Sequence, residues 1–326
     1  MKSGLASGSV YGPPVATAVL FVLLPLTLMS LCRASADRDE GGRSLVILSS
    51  ASMFGRIPYD VPPLHKDNLG GVGRLAKFFQ RTRDENPHVL TVDAGDFVGR
   101  SASPSGASWS NARVMAEALN RLKYDAWTPG EREISLGKDR LVELAGLIHA
   151  DAVSANVHDS TGVLLFKDRI VRRFGPLTVG VTGVTNLPDT WAGDAHLQVR
   201  PEVESLAPVI SQLRQDCDVV VLLAHVRAHQ ARALAETFPD IQVLVVGHAP
   251  GYLYHPDEVE KVLLVRSGDW GQYAGLLKLT IASDGRLIGW EGTNEPLHEA
   301  MPSDSLLERE LVELQHTLGD TGWTGR

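Results

Sequence analysis

Cysteine is nearly absent from this chain. Cys32 and Cys217 are the two among 326 residues, and Cys32 lies inside an apolar N-terminal stretch. Removal of that stretch would leave no intramolecular disulfide to form, and neither a CxxC pair nor a zinc-finger spacing occurs. A basic excess is missing too. Thirty-one Lys and Arg stand against 39 Asp and Glu, for a net charge of -8. That balance speaks against nucleic acid as a partner, because nucleic-acid binders present a basic face. The charges are interspersed and read as solvated surface. No internal repeat stands out. Hydrophobic content of 44% with 21% charge is that of an ordinary globular chain.

Long uncharged runs are also scarce, with one exception. Val15 to Leu31 is apolar, Lys2 is the one charge before it, and Ala34-Ser35-Ala36 follows as a small-x-small site. Residues 1–36 read as a secretory signal peptide. A retained membrane anchor is the alternative, although the run is slightly short for a span and holds Pro25. A lipoprotein reading of Cys32 ranks third, since Leu31 precedes it. Each version puts the body outside the cytoplasm (periplasmic, secreted or anchored) and limits membrane contact to this N-terminal segment.

From residue 42 to 326 the pattern reads as one domain in which strand-like and helix-like runs alternate. Helices are expected at Gly73–Arg83, Asn111–Leu122, Lys138–His149, Pro201–Cys217, Ala228–Phe238 and Ser305–Leu318. Strands are expected at Ser44–Leu48, His88–Val92, Tyr124–Trp127, Ala152–Ala155, Thr178–Val184, Val219–Ala224, Val243–Val246, Val262–Arg266 and Leu276–Ile281. Val163–Phe174 reads as a hairpin, and Asp284-Gly285 as a hairpin turn. Such alternation predicts an α/β layered fold; the late strands, with no helix between them, predict mixed sheets. Two apolar strands run into His225 and His248, and a third, Val89 to Val92, leads to Asp96. Strand ends of this kind are where loops of an α/β sheet gather function.

Several segments then form a recognisable series. Leu69-Gly70-Gly71-Val72-Gly73-Arg74 opens a helix, followed by Val92-Asp93-Ala94-Gly95-Asp96 and by Ala118 to Ala126. Ser154-Ala155-Asn156-Val157, Gly180 to Thr185, and the His225 and Gly247-His248 segments complete it. In this order they resemble the 5′-nucleotidase branch of the calcineurin-like metallophosphoesterases, over about residues 44 to 282. The resemblance implies a four-layer αββα sandwich of two mixed sheets. It also implies Asp, His and Asn ligands at strand ends, holding two divalent metals that activate water against a phosphate ester.

Carried over residue by residue, the resemblance is incomplete. Asp96 matches the bridging ligand, and His225 and His248 match the second metal's two histidines. Glu131 stands where the family has Asn, and Arg132 where it has His. The family's Asp-x-His at the first strand is Ser52-Met53-Phe54 here, and its final His is Pro250. Serine is a poor ligand, and Phe and Pro are none. An arginine keeps its proton near neutrality, so Arg132 is no general acid.

The surviving set, Asp96, Glu131, His225 and His248, is expected to hold one divalent metal (Zn, Mn or Fe), with the second metal site lost. Arg132 is the candidate for binding phosphate and transition-state charge, since a guanidinium grips such oxygens fork-wise. The expected function is a divergent metal-dependent hydrolase acting on a small phosphorylated or anionic substrate. The rival is a catalytically inactive member that binds a ligand or protein partner through the old cleft.

Blander readings stay open for each residue. Asp96 also suits a turn, and His225 and His248 also suit buried, satisfied histidines. Glu131 and Arg132 also suit a salt bridge plugging the pocket. His229 reads as a surface residue, Asn156 as structural support and Cys217 as inert. His255, Trp270 and Tyr273 are candidates for the pocket mouth. The further C-terminal domain with which family nucleotidases grip the nucleoside is not expected here, so nucleotide specificity does not carry over.

Overall fold

A computed structural model describes residues 42–57, 69–99, 108–188, 194–249 and 251–318. The N-terminal apolar segment, Pro250 and residues 101–107 lie outside them. Among the described residues no helix is long and apolar enough to cross a membrane.

The first half runs β1 (Arg43–Ser50), α1 (Val72–Glu85), β2 (Val89–Asp93), α2 (Trp109–Leu122), β3 (Ala126–Trp127), α3 (Glu131–Ile134), α4 (Lys138–Leu147) and β4 (Asp151–Ala152). Next come β5 (Val157–Asp159), β6 (Arg169–Phe174), β7 (Leu177–Thr185), β8 (Leu197–Val199), α5 (Glu202–Asp216), β9 (Val219–His225) and α6 (Ala228–Thr237). The chain closes with β10 (Val243–Gly247), β11 (Asp257–Val259), β12 (Val262–Val265), β13 (Tyr273–Ile281), β14 (Leu287–Pro296) and α7 (Ser305–Thr317).

Two six-stranded sheets result, ordered β14-β13-β1-β2-β3-β4 and β11-β12-β10-β9-β7-β6. Both are mixed. β1 to β4 run parallel, with antiparallel β13 and β14 beside them; β7, β9, β10 and β12 run parallel between antiparallel β6 and β11. The alternation along β9 shows why its sequence is apolar throughout. Val219, Val221 and Leu223 point inward and join Leu45, Ile47, Leu90 and Val92 between the sheets. Val220, Leu222 and Ala224 point outward under α5 and α6. A strand covered on both faces needs no polar position. On the other flank, α1, α2 and α7 press Leu75, Phe79, Met115, Leu119 and Leu311 against the first sheet. The layers are therefore helix, sheet, sheet, helix, the αββα sandwich expected above.

Two local expectations shift. Val163–Phe174 is not itself a hairpin: β6 pairs with β7, and the turn falls at Gly175. Gly175 has φ 57, a left-handed conformation that glycine adopts without steric cost. The short pair β5–β8 forms a separate two-stranded sheet that alternation in the sequence does not reveal.

Candidate metal centre

Three segments deliver the candidate ligands to one edge of the sandwich. Asp96 follows β2 by three residues, His225 ends β9, and His248 follows β10 directly. One donor atom from each lies within 4.8 Å of the others. The first sheet contributes Asp96 and the second contributes both imidazoles.

Close backbone approach makes this convergence possible. A Cβ on Gly130 would sit 2.3 Å from Asp96 Oδ1 and 2.7 Å from His225 Cε1. A Cβ on Gly247 would sit 2.2 Å from the Ala94 carbonyl oxygen and 2.8 Å from His225 Nδ1. Neither position has room for a side chain. Asp96 and His248 both hold left-handed backbone, with φ 60 and 53, which Asp and His adopt more readily than most residues.

The tautomer of His225 follows from its surroundings. Its ring is fully buried, and Nδ1 lies 2.8 Å from the Ala94 carbonyl oxygen. A carbonyl only accepts, so Nδ1 carries the hydrogen and Nε2 presents a lone pair. That Nε2 is buried with no hydrogen-bond partner, 3.5 Å from Asp96 Oδ1. Burial lowers the pKa of His225, so this contact is between a neutral imidazole and a carboxyl group rather than an ion pair. An orphaned, inward-facing imidazole nitrogen whose other nitrogen is tied to a carbonyl is the arrangement of a metal-ligating histidine. The donor set fits a divalent cation on that ground.

His248 is half-buried, its ring centroid 5.1 Å from that of His225. Burial and then the neighbouring His225 lower its pKa, which favours the neutral, ligating form. Glu131 reaches the same place from α3, with Oε2 3.9 Å from His248 Nδ1. It sits at the rim of the three-residue cluster rather than within it. Burial pushes the Asp96 carboxyl up to about 6, although its Oδ1 accepts the Arg132 backbone N–H at 2.9 Å. An added cation would oppose that rise.

Arg132 also converges on the site. Its Nε lies 3.6 Å from Asp96 Oδ2. Its guanidinium lies over the Phe54 ring, 4.2 Å from the centroid. Ser52 and Phe54 are stitched to the Asp96 loop. Ser52 N donates to Gly95 O at 2.8 Å, and Phe54 N donates to Asp96 O at 2.9 Å. All five residues singled out from the sequence are thus brought together. The other candidates divide. His255 is exposed, bonded through Nδ1 to Gly292 O and packed on Tyr254. Trp270 packs edge-on against Phe54, 4.7 Å between centroids. Asn156 is structural: its amide donates to Thr185 O and Arg200 O.

Two buried acids were not singled out. Glu133 collects backbone N–H groups from Asp96 and Gly130 at 2.8 Å and from Val98 at 2.9 Å. Burial pushes its carboxyl up to about 7, while the three donors pull the other way. It shapes the loop that carries Asp96. Its signal in the sequence is its place at the third position of α3, where a glutamate folds back on the helix start. Asp93 accepts from Ser50 Oγ at 2.5 Å and from Gly95 N at 2.8 Å, and burial pushes it up to about 8.

Similar proteins share this architecture. No family model matches the chain. A protein of the sand fly Lutzomyia longipalpis is 26% identical, covering 87% of this chain and 55% of its own length. Human 5′-nucleotidase is 26% identical, covering 74% and 46%. The crystal structure of a 5′-nucleotidase precursor from Thermus thermophilus superposes with a TM-score of 0.69 at 24% identity, covering 85% of this chain and 59% of that one. The chain spans about half the length of the curated relatives it matches.

Proposed function

We propose that this chain, a divergent member of the 5′-nucleotidase branch of the calcineurin-like metallophosphoesterases, is a metal-dependent hydrolase of small phosphate esters working with one divalent cation. Asp96, His225 and His248 hold that cation, and Glu131 completes the set. The mixed nitrogen and oxygen donors suit Zn, Mn or Fe. The observation that carries this reading is the buried, unpaired Nε2 of His225 facing Asp96 and His248. A divalent cation there supplies Lewis-acid charge and makes water more acidic.

The chain's own residues account for the rest. The Ala94 carbonyl fixes the His225 ring, Glu133 fixes the Asp96 loop, and Glu131 borders His248. Arg132 faces the site with a planar guanidinium that attracts phosphate oxygens and is assigned no proton to give. An aryl phosphate is the apt probe, because its leaving group departs without one. The N-terminal apolar segment supports an extracytoplasmic location.

Protein purified without chelator is expected to carry about one equivalent of Zn, Mn or Fe and to hydrolyse aryl phosphates when Mn is added. No metal and no turnover would overturn this reading in favour of an inactive member that binds a ligand or partner. The Arg132–Asp96 contact favours that second reading, since it places a side-chain cation against a ligand carboxylate.

A further inference from the structure

A row of two rings between two guanidinium groups ends at Asp96. Arg56, 7% exposed, lies over the Trp270 ring at 4.7 Å from its centroid. Trp270 meets Phe54 edge-on, also at 4.7 Å between centroids, with an interplanar angle of 62°. Phe54 carries the Arg132 guanidinium at 4.2 Å, and Arg132 Nε lies 3.6 Å from Asp96 Oδ2. The Arg132 side chain is 13% exposed, so its contact with the ring is largely desolvated.

The backbone beneath this row is held in an unusual state. Ser52, Phe54 and Trp270 have φ 50, 54 and 65. Left-handed backbone is uncommon for a serine and an outlier for bulky rings. Hydrogen bonds hold it there: Trp270 N donates to Ser52 O at 2.8 Å, and Gly55 N donates to Phe97 O at 2.7 Å. The segment that would carry a first metal's ligands is thus used to present one ring face to Arg132.

We infer that Phe54 and Trp270 are positioning residues that clamp the Arg132 guanidinium beside Asp96 as a fixed organic cation, on the side where the resemblance implies the family's first metal. The inference rests on the one-metal reading above. The centre is then a hybrid, with one exchangeable cation on the imidazole side and one permanent cation on the aromatic side. An anion bound there meets a planar guanidinium whose rotation is already restricted, so less freedom is lost on binding.

The test uses inorganic phosphate as the probe and the full chain loaded with Mn, with phosphate affinity measured by titration calorimetry and metal content measured separately. Phe54→Leu keeps an apolar side chain and removes the ring; Phe54→Tyr keeps the ring. Phe54→Leu should retain the metal and bind phosphate about thirtyfold more weakly, the size of a desolvated cation–π contact. Phe54→Tyr should match wild type, and Trp270→Leu should weaken phosphate less than Phe54→Leu. Arg132→Lys should fall with Phe54→Leu, because an ammonium lacks the planar fork. If Phe54→Leu is misfolded by circular dichroism, Arg132→Lys against Phe54→Tyr decides alone. Equal phosphate affinity in wild type and Phe54→Leu, or in wild type and Arg132→Lys, overturns the inference and leaves the metal reading standing. A wild-type protein that takes up no metal overturns the metal reading and the inference with it.

Discussion

Around Asp96 the centre divides into an imidazole side, with His225 and His248, and an aromatic side, with Phe54, Trp270 and Arg132. The imidazole side is preorganised for something to be added: a buried lone pair points inward and both pKa values are lowered towards the neutral, ligating form. The aromatic side is already filled, with ring packed on ring and guanidinium packed on ring. Both sides use left-handed backbone, at His248 on one and at Ser52, Phe54 and Trp270 on the other. Loop geometry of one kind therefore serves an open coordination set in one place and a closed stack in the other. The difference lies in the side chains that the loops carry.

The largest expected effect tests the imidazole side. His225 is a poor probe of it, because its burial and its bond to Ala94 O make it part of the packing as well. His248 is half-buried, and asparagine tolerates its φ of 53. His248→Asn should lower metal affinity by more than about 100-fold, exceeding the loss seen when only a supporting partner is removed, with stability changed by less than about 1 kcal/mol. Chelator competition and thermal melting check the two halves. Unchanged metal affinity would detach His248 from the centre and erase the contrast.

Glu133 underlies the join between the two sides. Glu133→Gln places an amide against three backbone N–H donors where a carboxylate accepted them, which should cost about 1–3 kcal/mol in urea unfolding. The smallest effect concerns Asp93. Its folded pKa of about 8 lies well above that of a free carboxyl, near 3.9. The folded protein then holds this proton where the unfolded chain has lost it. The contribution is whole below about pH 4 and is lost as pH rises through about 8. Asp93→Asn should flatten that part of the stability–pH curve, and identical slopes would refute the assignment.

Much of this was legible along the chain, for identifiable reasons. Strands buried on both faces, such as β9 and β10, announce themselves as apolar runs, and the ligands follow them directly. Helices α1, α2 and α7 begin and end within a few residues of their expected bounds because their apolar spacing is regular. Three-residue strands such as β5 and β8 carry too few positions to show a period. The Gly175 turn lies one residue past the stretch read as a hairpin, at the Gly175-Pro176 pair. Glu131 was read from its place in a series, whereas Glu133, two residues on, shows in the sequence only as the third residue of a helix start, and its bonds to the Asp96 and Val98 backbone appear only in the folded chain. The Phe54–Arg132 stack joins residues far apart in sequence, so only the folded chain reveals the ring beneath the guanidinium.

The centre also straddles the seam between the two sheets. Asp96 rides on the first, His225 and His248 on the second, and the His225–Ala94 hydrogen bond already crosses the gap at its rim. Any ion gripped by all three therefore acts as a rivet through both leaves, and thermal parting of the leaves must expel it. Occupancy and melting are thereby tied: each additional decade of free ion above its dissociation constant should lift the melting point by a further, equal free-energy step.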